Sequence, residues 1–181
     1  ALLVGNIEIP YTGYALESDK DSVTVAEISS FQLETMVTFK PHVTAILNIT
    51  PDHLDRHKTL ENYIAIKESI TKNQDENDFC VLNYNDPVLR EFGKTPRCKV
   101  IFFSSSEKLE SGVFLRGDTM IIKENGVETP VCTTKDTSLV GMHNYENIMA
   151  AIAMTHAMGV PLDTIRQGIK EFTAVEHRIE F

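Results

Sequence analysis

The chain contains no tryptophan and only three cysteines, and it sets 17 lysines and arginines against 26 aspartates and glutamates in 181 residues. Cys80, Cys98 and Cys132 are odd in number, widely spaced and without a CxxC pair. That pattern excludes a disulfide framework or structural zinc site and predicts buried free thiols in a reducing cytoplasm. The formal net charge of −9 leaves no basic stripe for nucleic acid or an anionic membrane. A phosphorylated small molecule is not excluded, because it needs only a local site or a bound cation. No uncharged stretch approaches the ~18 apolar residues of a membrane span. The start, Ala1-Leu2-Leu3-Val4-Gly5, lacks the basic residues of a secretory signal. It also lacks an initiator Met and opens inside a strand, so the expectation is a piece of a longer chain. The phosphate-cradling pattern GxxxxGK[ST] occurs nowhere.

What is present reads as one ordinary globular domain over residues 1–181, with 42% hydrophobic and 24% charged residues. Apolar runs of strand length occur at Leu2–Val4, Val23–Ile28, Val43–Asn48, Phe79–Asn83 and Val100–Phe103. Helical spacing separates them at Leu60–Lys72 and Pro87–Phe92. Such runs between helices predict strands covered on both faces of a largely parallel sheet. From Gly112 to Val131, Gly117-Asp118 and Asn125-Gly126 are hairpin-turn signals that predict a small antiparallel element. Two helices follow, His143–Met158, with Asn147, Ile148, Ala151, Ile152, Thr155 and Met158 on one spacing, and Leu162–Phe172, with Ile165, Ile169 and Phe172 inward. The fold class is therefore α/β: a mostly parallel sheet flanked by helices, with a small antiparallel β-hairpin element.

Several residues carry candidate chemistry. Glu27 closes an apolar strand, and open α/β sheets bind ligands at strand carboxyl ends; a glutamate that simply reaches water is the alternative. His53 lies in Thr50-Pro51-Asp52-His53-Leu54-Asp55-Arg56-His57, where alternating carboxylates and imidazoles suit a metal, or a merely polar loop. On the helix from Leu60, Lys67 falls in the middle of the arc formed by Leu60, Tyr63, Ile64, Ile66 and Ile70. A lysine there must snorkel, pair with an anion or lose its charge, and a neutral amine is open to carbamylation. Asn144 suits a helix N-cap, whereas Asn147 one turn on is unexplained by capping; the two amides suit a nucleobase edge. His177-Arg178 offers a bidentate phosphate grip or a solvated surface pair.

Taken in order, Gly5-Asn6-Ile7, Glu27-Ile28-Ser29-Ser30-Phe31-Gln32-Leu33-Glu34, Leu47-Asn48-Ile49-Thr50-Pro51-Asp52-His53-Leu54-Asp55-Arg56, Ile66-Lys67, Gly141-Met142-His143-Asn144-Tyr145-Glu146-Asn147 and His177-Arg178 resemble the central ATPase domain of the Mur ligases. The resemblance covers essentially the whole chain, and the SSFQLE run is similar to the branch that adds D-glutamate to UDP-N-acetylmuramoyl-L-alanine in peptidoglycan synthesis. It implies ATP and Mg2+ as cofactors, with Glu27, His53 and a carbamylated Lys67 as magnesium ligands, the last two also serving catalysis. It implies Asn6, Ser29 and His177 near the phosphates of the UDP-sugar, and Asn144, Asn147 and Arg178 at ATP. UDP-N-acetylmuramoyl-L-alanine and D-glutamate are the implied partners, with the remaining ligase domains in cis.

Departures from the family pattern are also expected to matter. The phosphate-loop strand and the N- and C-terminal domains are expected outside this chain, and a fragment without them is expected to be inactive alone. Loss of that strand is expected to leave an open apolar seam. Glu8 stands where the pattern has glycine, replacing free backbone with a negative side chain. The competing readings are another amide ligase of the Mur and folylpolyglutamate type, and a non-catalytic binding module of the same fold.

Overall fold

A computed structural model describes residues 1–7 and 9–173. Glu8, His177 and Arg178 lie outside the described residues. The chain forms two compact units, Ala1–Phe39 with Asp52–Ile70, and Lys40–Pro51 with Thr71–Phe181.

The first unit holds strands β1 (Leu2–Gly5) and β2 (Thr24–Glu27), paired in parallel from Leu2↔Thr24 to Gly5↔Glu27. Short helices α1 (Ser30–Leu33) and α2 (Leu54–His57) follow, with α3 (Leu60–Glu68) packed on both. The expected helix Leu60–Lys72 is shorter than its apolar spacing implies, and Ser69–Thr71 continue it as a 3-10 turn. There the Ser69 hydroxyl donates to the Ile66 carbonyl at 2.7 Å, competing with the helical ladder. Coverage of β2 on both faces is also corrected: every residue of the strand is exposed. Among the described residues its sheet has two strands only, so β2 borders nothing but β1.

The second unit is built on six strands in the order β3 (Val43–Ile46), β4 (Phe79–Asn83), β5 (Lys99–Ser104), β6 (Gly112–Arg116), β7 (Thr119–Glu124) and β8 (Val127–Thr133). The first four are parallel and the last three antiparallel, so the hairpins extend the same sheet. Asn125 and Gly126 adopt φ of 51° and 79°, the left-handed pair that a two-residue hairpin needs. Helix α4 (Pro87–Phe92) follows β4, while α5 (Met142–Ala157) lies against β3 to β6. Ile148, Met149, Ala150, Ile152 and Ala153 of α5 bury against Val81, Phe103, Val113, Met120 and Val131. This inward face differs from the predicted one, since Ala151 and Met158 point to solvent.

Helix α6 (Leu162–Glu171) packs on α5 and β8 and buries Ile165. Phe172, expected inward, is 51% exposed because the backbone leaves the helix there into an extended conformation. All three cysteines are free and buried. Burial raises the Cys132 thiol to about 11, so it behaves as an inert core group. Among the described residues no helix is long and apolar enough to cross a membrane.

Candidate functional site

In the first unit Asn6, Glu27 and Ser29 lie where β1 and β2 end, while His53 leads into α2 and Lys67 belongs to α3. Gly5 has φ 131°, and a β-carbon there would come within 2.0 Å of the Glu27 carbonyl oxygen. Only glycine lets the two strand ends approach this closely. The next residue, Asn6, donates its backbone N–H to the same carbonyl at 2.8 Å. This leaves the Asn6 and Glu27 side chains exposed at one strand edge. Two residues on, Ser29 caps α1 in a reciprocal box: its hydroxyl accepts from Gln32 N–H at 3.3 Å, while Gln32 Oε1 accepts from Ser29 N–H at 2.9 Å. That S-x-x-Q spacing is a sequence signal for α1, although the apolar pattern over four residues is too short to show it.

Of the Asp52–His57 segment, Leu54–His57 forms helix α2, and Asp52 and His53 lead into it. His53 precedes α2 in the left-handed region, φ 51° and ψ 33°, with its N–H donating to Asp52 Oδ1 at 2.8 Å. Its ring lies 4.9 Å from that of Phe31. His57, at the end of α2, turns inward with a fully buried side chain. Its Nε2 is 3.0 Å from Ser30 Oγ, and its Nδ1 is 3.3 Å from Glu34 Oε1, within ion-pair distance but without hydrogen-bond alignment. Arg56 grips Glu34 through Nη2 at 2.7 Å and Nε at 3.5 Å, holding the Glu34 carboxyl below the usual carboxylate range. Lys67 is half-buried, as its place in the apolar arc predicts, and its Nζ sits 4.9 Å from the Tyr63 ring centroid.

Among the described residues, no group of three or more His, Cys, Asp or Glu side chains is arranged to hold a metal. The Asp52–His57 run is therefore not a metal-binding cluster by itself, since His57 is committed to Ser30. An all-protein cage such as zinc requires does not fit. Mg2+ does fit, because it keeps several waters and commonly takes one or two protein carboxylates together with phosphate oxygens. Glu27 would offer such a carboxylate, exposed at the end of β2.

The second unit carries a separate polar assembly at the carboxyl ends of β3, β4 and β5. Asn83 Nδ2 donates to the Leu47 carbonyl at 3.1 Å and to Glu146 Oε2 at 3.5 Å. The Ser105 hydroxyl donates to Glu146 Oε1 at 2.5 Å, and Ile49 N–H to Asp86 Oδ2 at 2.7 Å. Glu146 thereby ties the first turns of α5 to the strand ends, the ligand-binding edge of open α/β sheets. Asn144 and Asn147 lie on those turns. Asn144 is not the N-cap: Gly141, at φ 103°, starts the helix earlier, and Asn144 Nδ2 donates back to the Val140 carbonyl at 2.8 Å. Asn147 is exposed on the following turn. Sequence reasoning missed Ser30, Glu34, Asn83, Ser105 and Glu146. Asn83-Tyr84-Asn85-Asp86 before Pro87 did hold a signal, that of a turn and helix cap, and Asp86 caps α4 through Val88 N–H at 2.9 Å.

Comparison with known proteins places this arrangement. The pattern of the Mur ligase middle domain matches residues 4–155. The chain is 50% identical over 179 residues to a UDP-N-acetylmuramoylalanine–D-glutamate ligase of Lachnoclostridium phytofermentans, covering 99% of this chain and 39% of that protein. It is 49% identical over 179 residues to the same-named protein of Lachnospira eligens, covering 99% and 40%. The chain thus spans about 40% of the length of these curated relatives. Among solved structures, MurF from Acinetobacter baumannii shares the fold with a TM-score of 0.69 at 18% identity, over 100% of this chain and 42% of that one. Thermotoga maritima MurF in complex with ADP shares it at 0.59 and 19% identity, over 86% and 36%. The chain belongs to the Mur ligase family, within its middle domain.

Proposed function

We propose that the protein carrying this chain is an ATP-dependent, ADP-forming ligase of peptidoglycan synthesis that joins D-glutamate to UDP-N-acetylmuramoyl-L-alanine in the cytoplasm. The observation that carries this reading is the 50% identity over 99% of the chain with a relative of that name. The chain is then a fragment, residues 1–181, of the ligase's central domain, and the other domains act with it in cis.

The chemistry follows from the substrates. The L-alanine carboxylate oxygen attacks the γ-phosphorus of ATP, the bond to the ADP oxygen breaks, and an acyl phosphate forms. The D-glutamate nitrogen then attacks the acyl carbon, giving a tetrahedral intermediate that expels phosphate; the nitrogen gives up a proton and the amide remains. Both steps bring anions together, so positioning and charge stabilisation dominate. Mg2+, when bound, screens phosphate oxygens and polarises the transferring group.

Within the chain, Glu27 and His53 are the proposed magnesium ligands, joined by Lys67 once carbamylated; His53 and Lys67 are also the catalytic pair. The half-buried place of Lys67 in the apolar arc of α3 supports this reading. Asn6 and Ser29 are assigned to the substrate phosphates, with the Ser29 hydroxyl also serving the α1 cap. Asn144 and Asn147 are assigned to adenine, supported by their place beside the strand ends. His177 and Arg178 remain assigned to substrate and nucleotide phosphates on the family pattern alone.

The test is product analysis with the full-length protein, UDP-N-acetylmuramoyl-L-alanine, ATP, Mg2+ and a panel of amino acids. ADP release that depends on D-glutamate and yields the matching amide is expected. Preference for another amino acid, or for a folate acceptor, would overturn the reading. The isolated 181 residues are expected to release no ADP in the same assay.

A further inference from the structure

Four ring contacts run in series through the first unit. The His53 ring lies 4.9 Å from Phe31, tilted by 49°. Phe31 stacks on His57 at 5.5 Å and 22°, and His57 meets Tyr63 at 5.4 Å and 48°. The Tyr63 face then receives Lys67 Nζ at 4.9 Å. The two ends of this series are His53 and Lys67, contributed by different segments of the chain.

The series is buried at its centre and open towards His53. The His57 side chain is fully buried and Tyr63 is 4% exposed, whereas Phe31 is 43% exposed and the His53 side chain 49%. His57 is anchored at Nε2 by Ser30 and flanked at Nδ1 by Glu34, which Arg56 fixes. A phenylalanine would fill that space without polar partners; an imidazole also fixes the ring plane through the Ser30 hydroxyl. His53, in contrast, occupies the left-handed region with a β-carbon, a conformation that persists only where the surroundings impose it. Edge-to-face and offset ring pairs prefer particular geometries, so each ring orients the next. The Tyr63 face does the same for the unmodified Lys67 side chain above it, in the state before carbamylation.

We propose that Phe31, His57 and Tyr63 are positioning residues: a ring stack, buried at His57 and Tyr63 and exposed on one side at Phe31, that fixes the His53 imidazole and the Lys67 side chain relative to one another. Displacing an inner ring misplaces both ends. This rests on the reading that His53 and Lys67 serve the ligase site. It goes beyond it by making the phenylalanine of SSFQLE and the last histidine of DHLDRH parts of one device.

The experiment uses the full-length protein with Phe31→Leu, Tyr63→Leu, the double variant, and the ring-preserving Phe31→Tyr and Tyr63→Phe. The wild-type assay comes first, and absence of D-glutamate-dependent product would sink the ligase reading alone. With an active wild type, each leucine variant lowers kcat about 10–100-fold, the usual cost of losing a residue that orients a ligand side chain. KM for the uridine nucleotide stays within about two-fold, and the ring-preserving variants retain most of the rate. The double variant falls no further than the worse single one, because both break one stack. Multiplicative losses, or leucine variants with wild-type kcat, would overturn the proposal.

A second measurement needs no turnover: the His53 Cε1–H resonance, followed by NMR without ATP or magnesium. Tyr63→Leu shifts it although Phe31 and His57 stand between, and the two ring-preserving variants leave it nearly in place. An unmoved resonance in Tyr63→Leu would overturn the stack whatever the assay shows.

Discussion

The two units of this chain differ in the balance of their interiors. In the first, the buried residues are Val4, Ser30, Leu33, His57 and Tyr63, so hydroxyl and imidazole groups share a small interior with apolar ones. The second also buries Thr44, Gln74, Asp78, Asn83 and Ser104, but beside a much larger apolar set in which Cys80, Val81, Leu82, Phe103, Phe114, Met120, Met149 and Ile152 are wholly buried. Hydrocarbon burial is non-directional and tolerant, whereas buried polar groups demand partners at set distances and angles. A catalytic constellation gains from the second kind of interior, because direction is what it needs. The unit with the smaller apolar core is the one that carries the proposed ligands Glu27, His53 and Lys67.

This contrast can be broken in four places. The largest effect is expected from Phe103→Ala in the second unit: loss of a wholly buried ring costs about 3–5 kcal/mol in chemical unfolding. Ser30→Ala in the first unit removes one oxygen, yet leaves buried His57 Nε2 without a partner, for a cost of about 1–3 kcal/mol. A neutral result there would mean that the polar interior is dispensable. Gly126→Ala meets no neighbouring atom and tests backbone conformation alone, at about 1–2 kcal/mol, because φ is 79°.

The smallest effect concerns pH. Lys40 hydrogen bonds to Asp75 and lowers its carboxyl pKa to about 2. The unfolded value is higher, near ~4, so this contribution is complete above that pH and is lost as pH falls towards about 2. Lys40→Met should flatten the unfolding midpoint over that window and leave its pH dependence near neutrality unchanged. A variant with the wild-type acid profile would show that the pair contributes nothing.

Much of the second unit was legible because its signals are local. Asn125-Gly126 specifies a turn through φ alone, and the strand Phe79–Asn83 appears where its apolar run predicts it. The first unit was less so. Helix α2 is four residues long and shows no periodicity; it exists because His57 is drawn inward to Ser30, a contact between segments 27 positions apart. The position of Lys67 was visible, since nine residues of α3 suffice to define an arc, but its aromatic partner was not assigned. Asn144 was misplaced as a cap because glycine at position 141 starts the helix earlier, at a dihedral no other residue adopts easily.

Strand β8 has a consequence of another kind. It forms the outer border of the six-stranded sheet, where free N–H and C=O groups invite another molecule to add a strand. Pro130 removes one donor, and the register shift opposite Met120 and Ile121 bends the border. Arg166 then donates to the Pro130 carbonyl at 2.6 Å and the Val131 carbonyl at 3.0 Å, occupying acceptors that an incoming strand would need. A missing donor, a bend and two satisfied carbonyls make this margin a poor template for polymerisation. At this border the protection against an added strand rests on one proline and one arginine.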